Sequence, residues 1–126
     1  MSPHYEYLRE NAEDFLEEAR RLLQDGKYKL AAFHTEQAVQ LFLKYFLANR
    51  VGDFPKTHRL QELLWECGRE CAEFSRVAQD YPSELHSLEL AYIATRYLPS
   101  SYEKKEVEEF LRLAEKVRSL VYECLS

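Results

Sequence analysis

The chain has 126 residues, enough for one domain that buries about two thirds of its unfolded surface without help from a metal or disulfide. Hydrophobic residues make up 46% and aromatic residues 13%, with 3 Gly and 4 Pro; this is too apolar for disorder and too poor in turn residues for a many-stranded β fold. Lys and Arg number 17 against 22 Asp and Glu, and the resulting charge of -5 argues against a protein that coats duplex DNA with a broad basic face.

Ser2-Pro3 offers a hydroxyl cap and a proline for the first helical position. Behind it Leu8, Ala12, Phe15, Leu16, Ala19, Leu22 and Leu23 recur at steps of three and four, which predicts a first helix to about Gln24. Asp25-Gly26 ends it, and so short a turn sends the next helix back antiparallel. The second helix is expected from about Lys29 to Arg50. Ala31, Ala38, Phe42 and Tyr45 form one apolar stripe and Val39, Leu43 and Phe46 a neighbouring one, so this helix is central in its bundle or shared with a partner chain.

Gly52, Asp53 and Pro55 make a loop that ends at Thr57, the expected N-cap of a third helix bearing Leu60, Leu63, Leu64 and Cys67 on one face and weakened or ended at Gly68. From Arg69 to Tyr81 the pattern is irregular, with Phe74 and Val77 as its firm apolar anchors. Pro82 opens a fourth helix that ends near Leu98-Pro99. Ser100-x-x-Glu103 has capping-box spacing for a fifth, in which Val107, Phe110, Leu111, Ala114, Val117, Leu120, Val121 and Cys124 keep the helical period. The reading is all-α: an up-and-down bundle of four to five helices in a single domain over 1–126.

Cys67, Cys71 and Cys124 are odd in number and lack C-x-x-C spacing, and no leader-like charged and apolar sequence opens the chain. A cytoplasmic chain with reduced thiols is the expectation. The apolar run from Ala38 to Ala48 is too short to cross a bilayer, so no membrane partner is expected.

The sequence has no P-loop, G-x-G-x-x-G, H-E-x-x-H or G-x-S-x-G motif. Cys67 and Cys71 would share a helix face but have no His or Asp at helical spacing to complete a zinc site, and free cysteine ordinarily behaves as a small hydrophobe. His34, Glu36 and Gln37 interrupt an apolar helix. A di-iron site would require two Glu-x-x-His motifs, which are absent, so His34 reads as a packed or capping residue and no cofactor or metal is expected.

Two constellations point to an anion. Lys56-Thr57-His58-Arg59 crowds cationic side chains at a helix N-terminus, where free backbone amides already favour negative charge; the alternative is local packing by His58 and solvated bases. Tyr92-Ile93-Ala94-Thr95-Arg96-Tyr97 and the following Leu98-Pro99-Ser100-Ser101-Tyr102 set an arginine among three tyrosines and two hydroxyls. Arginine can fork onto a phosphate and tyrosine can stack on a base, while the same Arg96 could instead clamp a nearby Glu.

Tyr28-x-Leu30-Ala31-Ala32-Phe33-His34-Thr35-Glu36-Gln37-Ala38-Val39, Thr57-His58-x-Leu60 and Ala91-Tyr92-x-x-x-Arg96-Tyr97, in this order and over most of the chain, resemble a HEPN domain. The resemblance implies a helical bundle that pairs as a homodimer, which would account for the wide apolar arc of the second helix. Many small prokaryotic members of that family are the partner half of a two-protein system with a minimal nucleotidyltransferase. Others are metal-independent ribonucleases of the toxin type, with R-x4-6-H at the dimer cleft. Arg96 matches the arginine, but the histidine positions hold Ser101, Tyr102 and Glu103. A hydroxyl is poorly matched to moving protons near neutral pH, which weighs against an efficient ribonuclease.

The leading expectation is thus a dimer that binds a nucleotide or RNA phosphate through Arg96, with Tyr97 or Tyr92 stacking and Lys56 and His58 adding positive potential, alongside a nucleotidyltransferase partner. The alternatives are a degenerate endoribonuclease that pairs Arg96 with His58, and a purely structural interaction module whose tyrosines and arginine serve an interface.

Overall fold

The computed structural model describes residues 5–126, so the cap read at Ser2-Pro3 lies outside the described residues. Six helices follow one another: α1 (Glu6–Gln24), α2 (Tyr28–Val51), α3 (Leu60–Glu70), α4 (Glu73–Asp80), α5 (Pro82–Tyr97) and α6 (Lys104–Leu125), with no strand among the described residues. The α1–α2 hairpin is closed as its sequence suggests. Gly26 takes a left-handed φ of 75°, its N–H donates to the Leu23 carbonyl, and the Lys27 N–H reaches back to Leu22. These paired bonds satisfy carbonyls at the helix end that would otherwise lack donors.

Helix α2 is the centre of the bundle. It packs against α1, α6, α5 and α3, and thirteen of its residues are buried, from Ala31 to Ala48. Its wide apolar arc is therefore taken up within one chain, and a second copy is not needed to cover it. Phe42, Leu43 and Phe46 are fully buried, with the Phe46 ring 4.8 Å from Phe74 of α4 and the Phe42 ring 6.2 Å from Tyr122 of α6. Polar ties add to the packing of α6 on α1: Arg118 Nε donates to the Glu13 carboxylate at 2.8 Å, and the Tyr122 hydroxyl donates to the same group.

Several local expectations give way. The Arg69 to Tyr81 stretch holds a short helix, α4, whose buried Phe74 and Val77 are the anchors seen in the sequence. Among the described residues the bundle therefore has six helices where four or five were expected. Gly68 does not end α3, which continues to Glu70. Its missing side chain instead makes room for α4, since a Cβ there would lie 2.3 Å from the Ser75 hydroxyl and 3.4 Å from its amide.

Thr57 stands two residues ahead of the N-cap position, which is Arg59. Its hydroxyl oxygen still accepts the Arg59 N–H at 3.1 Å and donates to Glu62 at 3.2 Å. The capping box at Ser100 does not form. The Ser100 hydroxyl turns back to the Ala94 carbonyl at 3.0 Å, closing the end of α5, and Glu103 takes the N-cap position of α6 without a side-chain cap.

The expectation of three reduced thiols also fails. Cys71, which follows the last residue of α3, is joined to Cys124 in the last turn of α6 by a disulfide across 53 residues of sequence. Spacing could not reveal this, because the pair depends on where the α3–α4 corner meets the chain end. Arg50 fastens the same two places through its guanidinium, which donates to the carbonyls of Glu70 and Cys124 at 3.1 and 3.0 Å. Cys67 alone is free; it is buried, and burial pushes its thiol far above the ordinary range. On the outer side of α3, Trp65 is 62% exposed with the Arg69 guanidinium 5.2 Å from its ring. No helix is long and apolar enough to cross a membrane among the described residues.

Closing a loop of this length restricts the unfolded chain by up to about 4 kcal/mol. Reduction is accordingly expected to raise the thiol count from one to three and to shift the denaturant midpoint downward. A thiol count of three before any reductant is added would rule the bond out.

Candidate functional site

The candidate site lies where the end of α5 meets the first turns of α2 and the α2–α3 connection. Arg96 is in the last turn of α5, where a cation suits the helix dipole, and its Nε donates to the Tyr92 carbonyl at 2.9 Å. The guanidinium carbon stands 4.5 Å from the centre of the Tyr92 ring, 5.0 Å from that of Tyr97 and 5.2 Å from that of Phe33 on α2. His58 lies flat on the Tyr92 ring, with centroids 4.3 Å apart and planes 6° from parallel.

Arg96 is exposed and forms no ion pair with a carboxylate among the described residues. Arg96 therefore does not act as a structural clamp on a nearby Glu among the described residues. A guanidinium held by aromatic faces, with its terminal nitrogens uncommitted, retains the planar fork that suits a phosphate or carboxylate.

Of the five residues singled out in the sequence, the structure brings Arg96, Tyr92, Tyr97 and His58 together. Lys56 is exposed and joins them through no hydrogen bond, ion pair or ring contact. The start of α3 also differs from the expected anion seat. Its Arg59 amide is taken by Thr57, and its Gln61 amide faces Glu89 of α5 at 3.4 Å, so the protein's own groups answer two of the free donors.

Phe33 and Glu36 belong to this region through α2. Their spacing of three places them on one helix face, but no pattern in the sequence announces that this face turns toward Arg96. His34 is packed, as read: its ring lies 5.5 Å from Phe15, and Nδ1 pairs with the Leu30 carbonyl at 2.8 Å. Glu36 is fully buried, one turn deeper along α2. Gln37 donates to its Oε1 at 2.8 Å and Gln40 to its Oε2 at 2.6 Å. No group of three or more His, Cys, Asp or Glu side chains is placed to hold a metal ion among the described residues.

The HEPN domain family matches residues 5–125. The chain belongs to the HEPN family. It is similar to TT1696 from Thermus thermophilus, at 27% identity over 98% of this chain and 99% of that one, with a TM-score of 0.83. A similar fold is found in ST0689, an archaeal HEPN homologue, at 22% identity over 97% and 98% of the two chains, with a TM-score of 0.75. No curated protein matches the chain.

Within this HEPN bundle, burial is the largest influence on Glu36 and pushes its carboxyl up from the ordinary 4.5 to about 7, with Glu89 acting in the same direction. The two amide hydrogen bonds and Arg96 oppose the shift without cancelling it. The folded protein thus holds this proton more tightly than the unfolded chain does. The stability that follows is complete below the ordinary carboxyl range and is lost as pH rises through 7, a loss of about 3 kcal/mol. Denaturant unfolding of the wild type across that range is expected to show the loss, and Glu36→Gln, which has no proton to give up, to escape it. Equal losses in both proteins would exclude Glu36 as the source.

Proposed function

We propose that this HEPN domain binds the phosphate of a nucleotide or RNA at Arg96, as a homodimer that acts with a nucleotidyltransferase partner. The observation that carries the binding is the exposed Arg96 guanidinium, seated on the rings of Tyr92, Tyr97 and Phe33 and unpaired with any carboxylate among the described residues. Arg96 holds the phosphate. Tyr97, at 70% exposure, offers a face on which a base can stack, and His58 fixes the Tyr92 ring from the loop side. Lys56 adds positive potential nearby in sequence without touching the cluster.

Family membership supports the partner and the dimer. So do Leu90, Ile93 and Leu98, exposed apolar residues on α5 and just past its end, beside the Arg96 cluster. Exposed apolar side chains grouped at one place suit an interface with another chain.

A second reading is metal-independent RNA cleavage, favoured by one observation: His58 shares the Tyr92 ring with Arg96 and so brings an imidazole to the arginine where the family motif's histidine is missing. Histidine is the side chain best matched to proton transfer near neutral pH.

Thermal unfolding with mono- and dinucleotides and short RNA separates these readings, because a ligand that binds only the folded state raises the apparent melting temperature. The wild type is expected to shift upward with a phosphate-bearing ligand and Arg96→Ala to show no shift, with dimerisation unchanged in the variant. Loss of the dimer in Arg96→Ala would favour the purely structural interface. Cleavage of RNA in the presence of a chelator, abolished in His58→Ala, would put the ribonuclease first.

A further inference from the structure

Glu36 has no part in the binding just described, yet it is the largest polar side chain that is fully buried among the described residues. It sits on α2 one turn from Phe33, whose ring touches the Arg96 guanidinium. Burying a carboxyl at the centre of an all-helical core is costly unless something answers it, and the neighbours that answer are unusual. Both are glutamines, Gln37 and Gln40, each directing its side-chain amide at one carboxyl oxygen. A glutamine amide presents two donors from its nitrogen and acceptor pairs from its oxygen, and a half-turn exchanges them. Such a shell can satisfy a carboxylate by donating and a protonated carboxyl by accepting, whereas a lysine or arginine there would suit the ionised form alone.

The charged groups that act on Glu36 come from two helices. Glu89 and Arg96 reach it from α5, with opposite effects, and Lys44 lies two turns along α2 itself. His58 borders the same cluster through its stack on Tyr92. Arg96 therefore lies within electrostatic reach of the buried Glu36, with which it makes no ion pair, and in the function proposed above it also faces a ligand phosphate. Because Arg96 is exposed, solvent screens the coupling between these two, and it is modest, as is the influence of Arg96 on Glu36, the smallest of those acting there.

We propose that Glu36 is a positioning residue whose proton sets the affinity of the Arg96 site, so that anion binding is accompanied by proton uptake at Glu36. The inference rests on the reading of Arg96 as a phosphate site. With Glu36 ionised, part of the Arg96 field is spent on the carboxylate behind it and the phosphate meets a weaker attraction. With Glu36 protonated, the full guanidinium charge faces outward. Binding tightens as pH falls and levels off once the carboxyl is fully protonated. Burial that brings the free carboxyl to about 7 places this range near neutrality.

The test uses a 2′-O-methyl pentanucleotide without terminal phosphates, whose charge is constant from roughly pH 6 to 8.5 and which cannot be cleaved through a 2′-hydroxyl. Calorimetric titration of the wild type is expected to give about three- to tenfold tighter binding at the lower pH, and proton uptake when two buffers of different ionisation enthalpy are compared. Glu36→Gln, first shown to unfold cooperatively, is expected to bind with little dependence on pH and to take up no proton at this site. His58→Gln controls for the neighbouring imidazole, since histidines as a class also gain charge in this range; without the stack on Tyr92 it is expected to bind more weakly and still to take up the proton for each ligand bound. Binding by the wild type with no proton uptake overturns the proposal and leaves the Arg96 site standing, as does uptake that persists in Glu36→Gln and vanishes in His58→Gln. No binding at either pH overturns the Arg96 reading itself.

Discussion

A single helix covered around most of its circumference imposes the arrangement of this protein. Because α2 must bury apolar side chains around most of its circumference, α1, α3, α5 and α6 each take a place against it, and none of the four would have a complete apolar neighbour without it. The α1–α2 turn fixes the first of these contacts, while the end of α6 is held by Arg50, itself in the last turn of α2. The candidate site inherits its geometry from the same source. Phe33 and Glu36 are near Arg96 because the face of α2 that carries them is the one α5 covers.

This placement explains how a polar group comes to lie in the core. A helix covered over most of its circumference keeps only the narrow, half-buried stripe through Phe33, Gln37, Leu41 and Lys44 near solvent, and Glu36 lies off it, so this acid is hidden and must find local partners. Gln37 and Gln40 supply them from the same helix. Thr35, equally buried, resolves its hydroxyl in the simplest way by donating to the Ala31 carbonyl one turn back, and Thr95 of α5 does the same with Ala91.

The helices and most of the core were legible from periodicity. Leu8, Ala12, Leu16 and Ala19 are buried at the spacing that predicted them, and Pro82 opens its helix as proline at a first position should. The misreadings share a physical cause: each depended on how one helix meets the next, which the spacing within a single helix does not record. Gly68 looks like a helix terminator until Ser75 is seen pressed against it, and the cysteine pair cannot be deduced before the fold brings α6 to the α3–α4 corner. Ser100 has a choice between capping the helix ahead and closing the one behind, and only the path of the chain decides it. At the site, Arg96, Tyr92, Tyr97 and His58 could be picked by residue type, whereas Phe33 contributes through a face whose direction no local pattern records.

The tryptophan of this chain has a practical bearing on how its folding can be followed. Trp65 stands on the outer surface of α3, more than half exposed, under the guanidinium of Arg69. Its indole is already wet in the native state, so its emission colour changes little when the bundle opens. The phenylalanines at the true centre, Phe42, Phe46, Phe74 and Phe110, give almost no usable fluorescence signal. Spectroscopists who rely on indole emission would thus watch the skin of one short helix while the core came apart unseen; the far-ultraviolet signature of the helical backbone is the faithful reporter here.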